Sequence, residues 1–350
     1  MTDRDDPQAY ELLSLRVPLG VGTMFWGDTR LDERMAGRII SDEALVRVRD
    51  RAHAAGVSFF DTAEGYGVGS SEERLARLGF VRPGNLIATK FLPTLWRWSP
   101  RAFVRATEAS NRRLGQDECA LSFIHSPVHP RSPAVWVRGA AQAMRAGKLR
   151  ALGVSNFNAE QVHEAWAVAQ EEGIPLVANQ VMVSPLVYRS TTLQETIEAC
   201  RELGIAVVGY GALGQGLLTA TLTQERLSAS RIARRLELAA EDLEPLRAAI
   251  HAAAEQHGKS MAQVCLQWVR SKDVIPLVGI RTVEQLEDAL GALEFSLNPD
   301  EIARLDDAAL GGSTLERPLA QRARFLIFLS GLIAGVKLTR AVGRLRPGSR

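Results

Sequence analysis

Cysteine is scarce in this chain. Its three copies, Cys119, Cys200 and Cys265, are spread widely through 350 residues. An odd number at such intervals fits buried thiols in a reducing compartment and offers no metal-ligand spacing. Charge of one sign is also missing: 42 Lys and Arg against 40 Asp and Glu leave a net charge of +2. No general attraction to nucleic acid follows. The first residues, Met1-Thr2-Asp3-Arg4-Asp5-Asp6, are polar and acidic and lack an apolar run. That argues against a secretory or transit peptide and sets a cytoplasmic expectation. The uncharged stretch Phe325–Val336 is twelve residues long, short of the roughly 20 that a spanning helix needs.

Alternation is present throughout. Short apolar runs at 18–23, 57–61, 85–90, 119–125, 149–154, 176–181, 205–209 and 274–278 read as strands. Helical patterns lie between them, at about 42–55, 70–79, 99–114, 133–146, 159–171, 192–203, 260–270 and 282–292. A further helix is expected over 237–256, and Asn298-Pro299-Asp300-Glu301 opens another. Eight such alternations predict a parallel α/β sheet closed into a (β/α)8 TIM barrel with additional helices. Local signals agree. Gly56, Gly147, Gly173 and Gly204 follow helices, where positive φ is often needed. Ser99-Pro100 and Ser132-Pro133 read as an N-cap with proline at the first helical position. The barrel is assigned to residues 1–312 and an apolar, basic C-terminal extension to 313–350.

Four residues stand at or just past strand ends: Asp61, Tyr66, Lys90 and His125. In a parallel barrel these ends share one face. An acid, a phenol, an amine and an imidazole together there make a proton-transfer site.

Nine ordered stretches resemble the aldo-keto reductases. They include Leu19-Gly20-Val21-Gly22-Thr23-Met24, Phe60-Asp61-Thr62-Ala63-Glu64-Gly65-Tyr66-Gly67, Ser71-Glu72-Glu73, Ala88-Thr89-Lys90 and Phe123-Ile124-His125. Gly153-Val154-Ser155-Asn156-Phe157, Asn179-Gln180, Gly214-Gln215-Gly216-Leu217-Leu218 and Val278-Gly279-Ile280-Arg281-Thr282 complete the set. The matches span about 19–292. The resemblance implies a (β/α)8 barrel that uses NADPH to reduce aldehydes or ketones. A Rossmann reading fails, because Gly20-Val21-Gly22 has Phe25 where the third glycine should stand.

The chemistry of the four residues agrees with that implication. Carbonyl reduction needs a hydride on carbon, which must come from a nicotinamide, and a proton on oxygen. Tyr66 suits the general acid, with Lys90 expected to lower its pKa from about 10. Asp61 would hold Lys90 charged and oriented. His125 would hydrogen-bond the carbonyl oxygen. The resemblance places Ser155, Asn156 and Gln180 on the nicotinamide carboxamide, and Tyr210 against its ring. It brings Gly22, Thr23 and Met24 to the cofactor as well. Gly211, Leu213, Gly214, Gly216 and Leu217 would pass along the pyrophosphate. Gly279 and Arg281 sit where the eighth strand turns into a helix, a place that attracts phosphate. There Arg281 can contact a 2′-phosphate. Gln285 and Asp288 follow on the same helix face, with Asp288 where the family pattern more often has Asn.

The substrate pocket is expected among the loops after the strands, with Trp26, Phe91 and Trp96 as its lining, in company with Phe25, Trp98, Val128 and Pro130. The implied partner is a small carbonyl compound. The run Phe325–Val336 lies between Arg317, Arg322 and Arg324 and the cations Lys337, Arg340, Arg344, Arg346 and Arg350. Through 317–346 the chain is expected either to dock on protein, including a second copy, or to make peripheral membrane contact. An alternative function goes with the second case. The chain also resembles the β-subunits of potassium channels, which share the barrel and serve chiefly as cofactor-sensing partners with little turnover.

Overall fold

The computed structural model describes residues 17–30, 32, 33, 37–311 and 331. Eight strands pair in sequence order, all parallel, and β8 returns to β1 to close the barrel. They are β1 (Gly20–Gly22), β2 (Phe59–Asp61), β3 (Leu86–Phe91), β4 (Cys119–Ile124), β5 (Leu149–Ser155), β6 (Leu176–Met182), β7 (Ala206–Tyr210) and β8 (Val274–Gly279). All eight fall on the runs expected from sequence. The helices covering them are α1 (Asp42–Ala54), α2 (Ser70–Arg77), α3 (Pro100–Leu114), α4 (Ala134–Arg145), α5 (Ala159–Glu172) and α6 (Thr191–Glu202). After β7 come α7 (Gln224–Ala229), α8 (Arg231–Leu236), α9 (Ala240–His257) and α10 (Met261–Arg270); α11 (Val283–Gly291) and α12 (Pro299–Ala308) follow β8.

Strand alternation divides the apolar side chains into two cores. Phe59, Leu86, Ala88, Leu121, Phe123, Ala151, Val177, Val208 and Leu277 fill the barrel lumen. The alternate strand residues, such as Phe60, Ile87, Phe91, Ile124 and Val154, face the helices in a larger layer. Both faces of the sheet are therefore covered, as an all-parallel sheet requires. Side-chain caps fix where helices begin. Asn158 with Gln161, Ser260 with Gln263, and Asn298 with Glu301 form reciprocal capping boxes at α5, α10 and α12. Gly56, Gly147, Gly173 and Gly204 all adopt positive φ.

One local expectation is corrected, and two short helices join those expected. Helix α4 begins at Ala134, so Pro133 occupies the cap and not the first helical position; the Ser132 hydroxyl still accepts from Ala134 N–H at 3.1 Å. Helices α7 and α8, of six residues each, break at Ser230, which caps the second. Neither is long enough to register a helical period. The extension 313–350, with its apolar run, lies outside the described residues. Among those described, no helix is long and apolar enough to cross a membrane.

Candidate active site

The C-terminal ends of β2, β3 and β4, with the turn after β2, converge on one point. Alternation turns Asp61 and Lys90 inward above the lumen, both fully buried. Lys90 Nζ donates to Asp61 Oδ2 at 2.5 Å, to the Thr62 carbonyl at 2.8 Å and to Tyr66 Oη at 3.2 Å. The ammonium thus spends its three protons on three named oxygens. His125 stands edge-on to Tyr66, with ring centroids 5.9 Å apart. The four residues expected to meet do so in this structure.

Burial sets the proton affinities. It pushes the Asp61 carboxyl up and the Lys90 amine down, and contact between the two opposes both shifts. It also holds the Tyr66 phenol well above its ordinary range, and the Asp61 carboxylate adds to the effect. The shift is upward, against the lowering expected from Lys90, and Tyr66 keeps its proton at neutral pH. Burial and the nearby Lys90 charge bring His125 down to about 3. Its imidazole is neutral at physiological pH, a hydrogen-bonding group and not an acid. Its buried Nδ1 has no partner among the described residues.

Hydrogen bonds join this centre to β5, β6 and β7. Gln180 Nε2 donates to Asp61 Oδ1 at 2.8 Å. Ser155 Oγ donates to the Gln180 carbonyl at 2.8 Å. Asn156, at φ 62, donates from Nδ2 to the His125 carbonyl and to Ser155 Oγ. Its Oδ1 accepts from Tyr210 Oη at 2.7 Å. After Tyr210 the backbone turns through Gly211, Gly214 and Gly216, all at positive φ. Arg247 of α9 tacks this loop down through the Leu217 and Thr219 carbonyls. Leu217 is buried beneath it and Leu213 packs against the same core. Gly22 ends β1 beside Gly279 of β8. Thr23 is buried and donates to the Asp61 carbonyl, while Met24 is exposed.

At the turn after β8 the Arg281 guanidinium lies 4.2 Å from the Phe25 ring centroid. Burial, with the Arg38 charge nearby, draws its pKa below the ordinary value. Gln285 folds back to accept the Arg281 N–H at 2.8 Å. Asp288 accepts from Ser260 Oγ at 2.7 Å, which commits its carboxylate to joining α11 to α10.

Two of the expected substrate contacts are corrected. Trp26 is only 1% exposed; it packs on Phe80, and its Nε1 donates to the Ile280 carbonyl at 2.6 Å. It therefore joins the β1 and β8 loops from within the core. Phe91 follows inward-facing Lys90, so alternation turns it outward, against Phe103 and Trp136. Trp96 and Trp98 are 48% and 51% exposed on the loop after β3. Sequence reasoning also missed the clamp on that loop. Glu64 accepts from Leu92 N–H at 2.7 Å and pairs with Arg97, whose guanidinium rests on the Phe91 ring. Glu64 lies within the quoted motif, but nothing in the sequence marks Arg97 as its partner.

A closed barrel carrying such a constellation defines a class, and sequence comparison agrees with it. The family model for the aldo/keto reductase family matches residues 18–309. The chain is 32% identical over 306 residues to the chloroplastic pyridoxal reductase of Arabidopsis thaliana, covering 83% of each. It is 31% identical over 314 residues to aldo-keto reductase str7 of Strobilurus tenacellus, covering 83% of this chain and 88% of that one. Among solved structures, the glycerol dehydrogenase of Gluconobacter oxydans superposes with a TM-score of 0.70 at 26% identity, covering 83% of this chain and 90% of the other. The chain belongs to the aldo/keto reductase family, and its class is that of oxidoreductases.

Proposed function

We propose that this protein is an NADPH-dependent carbonyl reductase, with Tyr66 as general acid assisted by Lys90, Asp61 and His125. The observation that carries the reading is the buried Lys90 ammonium, bonded at once to Asp61 Oδ2 and Tyr66 Oη. The residues around it fit a nicotinamide cofactor. Gly216 and Gly279 present bare backbone to open space, where an added Cβ meets nothing within 4 Å. Ser155, Asn156 and Gln180 bring amide and hydroxyl groups to the neighbouring strand ends, suited to a carboxamide that both donates and accepts. Tyr210 would lie against the ring, and Arg281 would hold a 2′-phosphate.

When bound, the nicotinamide supplies the hydride. The chain's own residues manage the proton. Neutral His125 would direct the carbonyl oxygen by a hydrogen bond. Tyr66 Oη would release its proton to that oxygen, and Lys90 Nζ, already donating to Oη, would stabilise the phenolate left behind. Asp61 keeps Lys90 in place and balances its charge. Donors fixed before the reaction need no reorganisation as charge develops.

The test is NADPH oxidation at 340 nm with a panel of aromatic and aliphatic aldehydes, the unaltered chain serving as reference. Tyr66→Phe is expected to lower kcat by ~10²–10⁴, the usual contribution of a positioned acid, with NADPH binding retained. A variant with near-normal turnover would remove Tyr66 from the role. Tight NADPH binding with no turnover on any substrate would instead favour a cofactor-sensing role.

A further inference from the structure

The turn that carries Tyr66 is strained. After Tyr66 the chain passes through three consecutive left-handed residues, Gly67 at φ 56, Val68 at φ 54 and Gly69 at φ 94. Glycine tolerates this region, but a β-branched residue there is a genuine outlier. Such a conformation persists only when its surroundings over-determine it. One side of the turn is closed by Ser70 and Asp32, which lie where a Cβ on Gly67 would fall. The other side is closed by Arg113, whose Cδ lies 2.6 Å from where a Cβ on Gly69 would fall.

Arg113 is held in that place by a carboxylate that the chemistry does not use. Glu72, on the first turn of α2 and fully buried, accepts from Arg113 Nε at 2.6 Å and from Thr89 Oγ1 at 2.5 Å. Arg113 Nη2 donates in addition to Ser110 Oγ at 3.1 Å. The cluster therefore ties together three elements: α2, which continues directly from the Tyr66 turn; β3, at the residue before Lys90; and α3. Proton donor and ammonium partner are fixed relative to each other by one ion pair behind them, its carboxylate buried and its guanidinium partly exposed.

We propose that the Glu72–Arg113 pair is the positioning device of the proton donor, holding the left-handed turn Tyr66–Gly69 so that Tyr66 Oη stays at Lys90 Nζ. Neither residue touches the reacting atoms, so both act through the turn. The inference rests on the reading of Tyr66 as general acid.

The experiment uses the full chain and four variants: Glu72→Gln, Arg113→Lys, Glu72→Gln combined with Val68→Asn, and Tyr66→Phe. For each, kcat and KM for an aldehyde substrate are measured beside NADPH affinity by protein-fluorescence quenching and the thermal midpoint. Glu72→Gln is expected to lower kcat by ~10–100-fold, the scale of an ångström-level misplacement, with NADPH affinity unchanged. Arg113→Lys keeps the charge but loses the planar fork; it is expected to lower kcat in the same way, which preserves the test if Glu72→Gln does not fold. Asn enters the left-handed region several-fold more readily than other non-glycine residues. Adding Val68→Asn to Glu72→Gln should therefore recover part of the lost kcat. Normal kcat in both single variants would overturn the proposal. So would a loss of kcat matched by loss of NADPH affinity and thermal midpoint with no recovery from Val68→Asn, since that is general destabilisation. Tyr66→Phe separates the two claims: full activity there would defeat the acid assignment itself, whatever Glu72 does.

Discussion

Gln180 Nε2 donates to Asp61 Oδ1 at 2.8 Å, a bond across the barrel mouth between residues 119 positions apart. Asp61 has two oxygens to satisfy in a fully buried place, and Lys90 takes the other. The residue proposed to grip the nicotinamide is therefore also the one that fixes the carboxylate behind the proposed proton donor. Replacement by methionine keeps the shape and removes the donor. An unsatisfied buried acceptor costs about 1–3 kcal/mol, and each kcal/mol is worth about 2–4 °C in Tm for 150–250 residues and less for a longer chain. Gln180→Met is expected to lower Tm by several degrees, to lower kcat and to weaken NADPH binding together. A normal kcat with weakened binding would show that Asp61 does not need this bond.

His125 gives the stability of the fold a defined pH dependence. Its ordinary value of 6.5 falls to about 3 in the folded chain, through burial and the Lys90 charge. As pH falls below 6.5 the unfolded chain takes up a proton that the folded chain refuses. Stability is thus complete above 6.5 and is lost progressively towards 3. Thermal midpoints between pH 7 and 4 should fall less steeply in His125→Gln than in the parent. His53 and His129 are also lowered by burial and act in the same direction in both proteins, so the difference isolates His125. Equal slopes would mean that His125 is not held neutral.

Arg281 should separate the two nicotinamide cofactors. It carries no carboxylate partner among the described residues, and its guanidinium is held on the Phe25 ring. A charge-assisted contact contributes about 1.5–3 kcal/mol, or roughly ten-fold to a hundred-fold in affinity. Arg281→Ala is expected to weaken NADPH by that factor and to leave NADH nearly unchanged, in titrations that monitor protein fluorescence. Equal weakening of both would place Arg281 in general support of the loop.

The barrel was legible because each strand is a short apolar run bounded by turn residues, and all eight were found in place. The four residues proposed for proton transfer were legible for the same reason, since a strand end in a parallel barrel is an address. What failed was the direction of aromatic side chains. Phe91 could have been placed by counting, because Lys90 must face inward and its neighbour outward. Trp26 could not, for it lies in a loop with no period. The ion pairs Glu64–Arg97 and Glu72–Arg113 were beyond reach. Each depends on how two separate elements pack, and neither partner is marked by local spacing. The raised affinity of Tyr66 was missed because a charge partner can be read from sequence, while the extent of burial cannot.

Trp26 offers a test of the corrected reading. Its indole N–H donates to the Ile280 carbonyl at 2.6 Å, one residue before Arg281, and its own carbonyl accepts from Arg74 Nη1 at 2.8 Å. The ring sits 5.0 Å from that of Phe80 in the layer between barrel and helices. As a pocket wall, Trp26 would set the choice of aldehyde; as a tie between the β1 and β8 loops, it would set cofactor affinity. Trp26→Phe keeps an aromatic ring but removes the donor and part of the buried volume. A loss of about 1–3 kcal/mol in stability follows from leaving the Ile280 carbonyl unpaired, and with it a several-fold weaker grip on NADPH through the displaced Arg281. Relative kcat/KM across a series of aldehydes should stay constant, because nothing on the substrate side has moved. A reordered series with unaltered NADPH affinity would return Trp26 to the pocket.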